Sequence, residues 1–135
     1  MTPTAFALAG FAGWQIILTF ALAAYRTSLV LSGRKAANAF RSDGSDVGGF
    51  GQRLTRARDN CFENLVPFVA LALAAGAVGR APLLDPLAPW LLLARLGQSV
   101  THLISTSVVA VQVRFAFYLV QTGIMGWWAF RLLAG

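Results

Sequence analysis

Gln52-Arg-Leu-Thr-Arg-Ala-Arg-Asp-Asn-Cys-Phe-Glu-Asn64 is a charged, amide-rich stretch set directly against an apolar run, Leu65 to Val78, of about 14 residues. A helix needs roughly 20 apolar residues to cross the hydrocarbon core of a bilayer. A helix through this run therefore spans only if part of the polar stretch enters the membrane with it. Charged and amide side chains at that depth are costly unless they face protein or a water-filled cavity, where they serve a function. The stretch marks a membrane helix and, on it, a candidate site.

Composition agrees. Of 135 residues, 57% are hydrophobic and 12% charged, about half the charged share of a soluble domain, and mean hydropathy is +0.65. The length allows one domain over residues 1–135. The net charge of +6 would suggest nucleic acid in a soluble protein. Here the basic residues gather at helix edges, where they act as topology signals and phospholipid contacts, and no groove-reading motif accompanies them. No nucleic-acid partner is expected. Cys61 is the only cysteine and His102 the only histidine, which rules out an intrachain disulfide and a cage of thiolates and argues against a zinc site.

Four apolar segments predict an all-α integral membrane four-helix bundle, with helices over about 5–40, 52–79, 87–111 and 114–133. The apolar part of the first, Ala5 to Leu31, has no Lys or Arg ahead of it and is longer than a signal-peptide core, so it is expected to stay in the mature protein. Gly and small polar residues over Ser42–Gly51 read as a loop, and Pro82, Pro86 and Pro89 as a turn. A short link near Gln112 makes the last two helices an antiparallel pair. Arg26, Arg34, Lys35, Arg41, Arg53, Arg56, Arg58 and Arg114 fall on one side of this topology, Arg80 and Arg131 on the other. The positive-inside rule then puts both termini on the non-cytoplasmic side and the basic loop in the cytoplasm.

Each helix carries a polar stripe. At 100° per residue, Arg53, Arg56, Asn60, Glu63, Asn64 and Pro67 fall within about 100° of one another on the second helix. Arg95, Gln98, Ser99, His102, Ser105 and Thr106 make a second stripe, Arg114, Tyr118, Gln121 and Met125 a third, and Gln15, Thr19 and Arg26 a fourth. Lipid outside the bundle should turn such stripes inward. They can be interhelical glue, with Glu63 neutralising Arg56. They can also be a binding site, since arginine forks match carboxylates. His102 reads either as a hydrogen-bonded core residue or as an acid or base. Arg95 reads as paired with a carbonyl or a headgroup, Cys61 as a small packing residue, and Trp90, Trp127 and Trp128 as interfacial residues, with Tyr25 a further such anchor.

The pattern Arg53-x-x-Arg56-Ala57-x-x-Asn60-x-x-Glu63, followed by Pro67-Phe68, resembles the signature at the start of the second helix in the MAPEG proteins (membrane-associated proteins in eicosanoid and glutathione metabolism). Gly33-Arg34-Lys35-Ala36, Ala94-Arg95-Leu96 with His102, and Arg114-Phe-Ala-Phe-Tyr118 are similar as well, so the resemblance covers essentially the whole chain. It implies a homotrimer holding glutathione in a cytoplasm-facing cleft between subunits. By motif, Arg56, Asn60 and Glu63 would contact glutathione, with Arg53 on the same stripe. Arg34 would reach it from the first helix, and Arg114 would lie near its sulfur as the catalytic residue. The better-known members carry tyrosines on the third helix. Here that register holds Gln98 and His102, and Tyr118 on the fourth helix is the phenol within reach.

The expected function is a membrane-embedded glutathione transferase or peroxidase acting on lipophilic electrophiles that enter from the bilayer, with membrane lipids as further partners. A catalytically silent relative that binds lipid or scaffolds other subunits is the alternative. A small multidrug transporter fits less well, because Glu63, its one candidate carboxylate, is surrounded by arginines.

Overall fold

In the computed structural model, which describes residues 1–135, the chain forms four helices and no strand. These are α1 (Pro3–Leu31), α2 (Gly48–Ala77), α3 (Ala88–Ile104) and α4 (Val108–Leu133), with a single 3₁₀ turn, Ala81–Leu83, between α2 and α3. They run up and down: α1 packs on α2 and α3, and α4 on α3 and α2. Both termini and the α2–α3 turn lie at one end, and the α1–α2 loop and the α3–α4 link at the other.

α1, α2 and α4 are each long and apolar enough to cross a membrane. α3 is shorter, 17 residues or about 26 Å at 1.5 Å per residue. Only 26 of 135 residues are buried, because the outer faces are apolar too: Ile16, Ile17, Phe20, Val66, Leu73 and Leu119 are all more than half exposed on the single chain. Lipid solvates such faces, so the bundle interior is reserved for shape and polar contacts.

The interior centres on Phe68, whose ring lies 5.9 Å from Phe11 and stacks 5.7 Å from Trp128. Trp128 is fully buried and is a core residue rather than the interfacial one its position near a helix end suggested; Trp90 and Trp127 are exposed. Tyr25 ties the loop instead of marking an interface, its hydroxyl donating to Val47 O at 3.2 Å. At the termini end, Asp85 Oδ1 accepts from Thr4 N (3.0 Å) and Thr4 Oγ1 (2.6 Å), placing a carboxylate at the N-terminus of α1, where unpaired N–H groups favour it.

The helix boundaries differ from those expected, for local reasons. α1 stops at Leu31 rather than near residue 40, because Gly33 turns left-handed (φ 71°) and Arg34 N bonds back to Leu29 O at 2.9 Å, a glycine-terminated helix end. α2 begins at Gly48, not Gln52. Gly51 sits where a Cβ would lie 2.5 Å from Tyr25 Cε1, so this glycine, read as part of the loop, is where α2 comes close to α1. The α3–α4 link is Ser105-Thr106-Ser107, not the region of Gln112. Ser105 is extended, Ser107 caps α4 by accepting from Ala110 N at 3.2 Å, and the valines around Gln112 join α4. Hydroxyl capping outweighed the continuous apolar pattern.

Candidate functional site

At the loop end, α2, α3 and α4 converge on two adjoining polar clefts with no hydrophobic side chain in either lining. The wider, about 370 Å³, is lined by Asp43, Gln52, Arg56, Asp59, Asn60, Glu63 and His102. The narrower, about 130 Å³, is lined by Gly49, Gln52, Arg53, Arg56, His102, Thr106 and Arg114. Gln52, Arg56 and His102 belong to both. Three of the wider cleft's charges are carboxylates, while every charged residue of the narrower one is an arginine. The space is therefore polarised, acidic at one end and cationic at the other.

The spacing on α2 produces this arrangement. Residues 52, 56, 60 and 63 succeed one another at helical intervals of three or four, so their side chains project from one face. Arg56 and Glu63 are two turns apart, about 10.5 Å along the axis, which tells against the glue alternative in which Glu63 neutralises Arg56. The chain's ion pairs are Lys35–Asp46 (2.7 Å), Arg41–Asp43 (3.9 Å) and the neighbours Arg58–Asp59, and neither Arg56 nor Glu63 is in one. Pro67, lacking an N–H, cannot donate to the Glu63 carbonyl one turn back, which leaves a further acceptor beside this face.

Arg53 Nε donates to Leu103 O at 3.1 Å, tying α2 to the end of α3. Arg114 Nη1 donates to His102 Nδ1 at 3.1 Å. Arginine has no acceptor, so Nδ1 must carry the lone pair and the ring proton sits on Nε2. With Nδ1 engaged, His102 can offer a donor to a ligand but not a free base. The cation of Arg114 is half-buried and has no carboxylate partner.

Two of the expected residues lie elsewhere. Tyr118 is 40% exposed and opens onto a separate, largely apolar groove between α2 and α4, of about 510 Å³, with Asn64, Pro67 and Met125. Arg34 is exposed in the loop after α1 and lines neither cleft of its own chain. Gln52, Asp43 and Asp59 line the site without having been anticipated. Extending the α2 stripe back by one turn from Arg56 finds Gln52. Asp43 comes from a distant loop and carries no local signal.

That loop is folded onto the bundle. Gly44 is buried at φ 69°, where a Cβ would come within 2.6 Å of Thr55 Oγ1. Asp46 Oδ2 accepts from Arg41 N at 3.1 Å and pairs with Lys35. The hydrogen bond from Lys35 holds the Asp46 carboxyl below its ordinary pKa, and hydrogen bonds from Ser45 do the same for Asp43. Both are therefore carboxylates at neutral pH.

Deeper in the bundle the stripes on α3 and α4 do turn inward. Gln121 Nε2 donates to Gln98 Oε1 at 2.7 Å, and Asn64 Nδ2 reaches Gln121 Oε1 at 3.5 Å, a chain of buried amides linking α2, α4 and α3. Arg95 is fully buried and bonds to Asn60 on α2. The α1 stripe does not follow: Thr19 is exposed and its hydroxyl returns to Gln15 O at 2.8 Å.

Compared with known proteins, the chain matches the model of the MAPEG family over residues 4–134. No curated protein and no solved structure matches it.

Proposed function

The chain belongs to the MAPEG family, a membrane family of glutathione and eicosanoid metabolism, and from that premise we propose that it is a glutathione transferase or peroxidase for lipophilic electrophiles. The observation that carries this reading is the charge division of the paired clefts. Glutathione has one ammonium and two carboxylates. At the acidic end Asp43 and Asp59 are already paired with Arg41 and Arg58, so Glu63 is the carboxylate left to take the ammonium, and the arginines suit the carboxylates through charge-assisted bonds. Asn60 and Gln52 are left for the peptide groups.

Arg114 then acts on the thiol. A cation about 4 Å from sulfur is worth around 4 kcal/mol at an effective dielectric near 20, and partial solvation reduces this to a lowering of the bound thiol's pKa by about one to two pH units. The thiol proton leaves to water through the open cleft. The sulfur lone pair forms a bond to the electrophilic carbon, and the leaving group departs with its electron pair. No bond to the enzyme forms.

Assembly as a homotrimer, with the cleft facing the cytoplasm between subunits, belongs to the same proposal. Glu63 is exposed on the single chain yet lies about 21 Å from the far end of α2, within the roughly 30 Å of hydrocarbon. A carboxylate there needs water or a second copy beside it, and Arg34, remote from its own cleft, is free to serve a neighbour's.

A second reading, a glutathione- or lipid-binding subunit without turnover, draws on one observation: no tyrosine lines either cleft. Turnover decides between the two. Detergent-purified protein given glutathione and an aryl halide should form the thioether and release halide at neutral pH. Arg114→Leu should slow this more than it weakens glutathione binding, with part of the loss restored at alkaline pH, where the thiol ionises unaided. Binding without conjugate formation by the parent protein would select the silent subunit.

A further inference from the structure

Arg95 is the largest charged side chain in the interior and is wholly enclosed, yet no carboxylate reaches it. Its protein partners are the two oxygens of one residue: Nη1 donates to Asn60 Oδ1 at 2.9 Å and to Asn60 O at 3.0 Å. Its Nε and Nη2 have no partner, and the Phe11 ring centroid lies 6.0 Å from Cζ. A buried cation is costly, and two carbonyl dipoles offset only part of that cost. A leucine or methionine would join α3 to α2 more cheaply.

We propose that Arg95 is a positioning residue that fixes which end of the Asn60 amide faces the cleft. A guanidinium has donors and no acceptor, so it tolerates only the amide oxygen against it. Turning the amide over would set –NH₂ against –NH₂ in an enclosed space, leaving donors on both sides unsatisfied. Asn60 Nδ2 is thereby held free, on a residue that lines the wider cleft. At this point the cleft offers a hydrogen-bond donor, and the ligand group that docks here is an acceptor, a peptide carbonyl or carboxylate oxygen. The inference rests on the glutathione reading for the ligand's identity but not for the amide's orientation.

The test is a cycle of glutathione affinities, by calorimetry on detergent-purified protein, for the parent, Asn60→Ala, Arg95→Met and the double variant. Asn60→Ala should weaken binding about three- to tenfold, the range of one neutral hydrogen bond. Arg95→Met should cost a similar factor, and the double variant no more than either single one. Asn60→Asp is the sharpest arm. It keeps, and charges, the bond from Arg95, so the fold should hold. It presents only acceptors, so affinity should fall at least as far as in Asn60→Ala. Unchanged affinity in Arg95→Met, losses that multiply in the double variant, or full affinity in Asn60→Asp would each overturn the assignment.

A readout without ligand covers two further cases, a misfolded Arg95→Met and a parent that binds no glutathione. The chain has three asparagines, Asn38, Asn60 and Asn64, so ¹⁵N-asparagine labelling gives three side-chain amide pairs, and Asn60→Ala identifies one. In Arg95→Lys, whose shorter single-point donor loosens the clamp, that pair should move and its C–N rotation quicken while the other two stay. An Asn60 pair identical to the parent's would contradict the positioning role even where glutathione binds. A parent that binds nothing, with the pair moved as expected, would sink the glutathione reading alone.

Discussion

At the scale of the residue, Arg56 is where charge and geometry meet. It lines both clefts, is exposed, and has no ion-pair partner. Arg56→Ala is expected to remove a charge-assisted bond to a ligand carboxylate, costing about 2–3 kcal/mol, roughly 30- to 150-fold in affinity. Arg80, at the opposite end, donates to Arg131 O at 2.8 Å, and Arg80→Ala should leave affinity unchanged. Equal losses in a glutathione titration of the two variants would take the site away from the loop end. Arg53, Arg56, Asn60 and Glu63 were legible because helical periodicity alone sets them on one face. Arg95 was not legible in the same way. A cation two turns before His102 reads from sequence as reaching a carbonyl or a lipid headgroup, and only the α2–α3 contact shows that the carbonyl is that of Asn60. Tyr118 misled for a related reason: its stripe on α4 is real, but the stripe drifts off the cleft one turn beyond Arg114.

At the scale of the element, apolar runs located all four helices, and their ends were less legible because they depend on contacts outside the run. Gly51 looks like loop until Tyr25 of α1 is placed against it. Gly51→Val would push a side chain into Tyr25 and Val47 and should destabilise the bundle by about 1–3 kcal/mol, seen as a lower midpoint of thermal unfolding in detergent; an unchanged midpoint would contradict the close α1–α2 approach. The α1–α2 loop makes a prediction about pH. Its Asp46 carboxyl titrates below the ordinary 3.8 because of Lys35. The stability it gives the loop is therefore present above the unfolded pKa and lost as pH falls through the folded one. The loop should hold throughout the neutral range and loosen only under acid, below about pH 4. Asp46→Asn should loosen it at neutral pH, so that trypsin cuts after Lys35 or Arg41 faster than in the parent. Equal cleavage rates would show that the pair does not hold the loop.

At the scale of the whole molecule, eight basic residues on the loop side against two on the termini side predict, by the positive-inside rule, that both termini face away from the cytoplasm. A reporter fused after Gly135 and active only in the cytoplasm should stay silent; activity there would move the clefts away from the cytosolic thiol pool. The bundle itself was legible because lipid imposes a simple code of length and apolarity, whereas the polarised clefts needed three helices and a loop brought together. Whether these clefts hold glutathione, as proposed, is read most directly by calorimetric titration of the detergent-purified protein with glutathione at neutral pH. Saturable binding is expected, abolished or greatly weakened in Arg56→Ala and retained in Arg80→Ala. A parent protein that gives no saturable heat, at concentrations where its unfolding midpoint is equally unmoved by glutathione, would rule out glutathione as the ligand of these clefts.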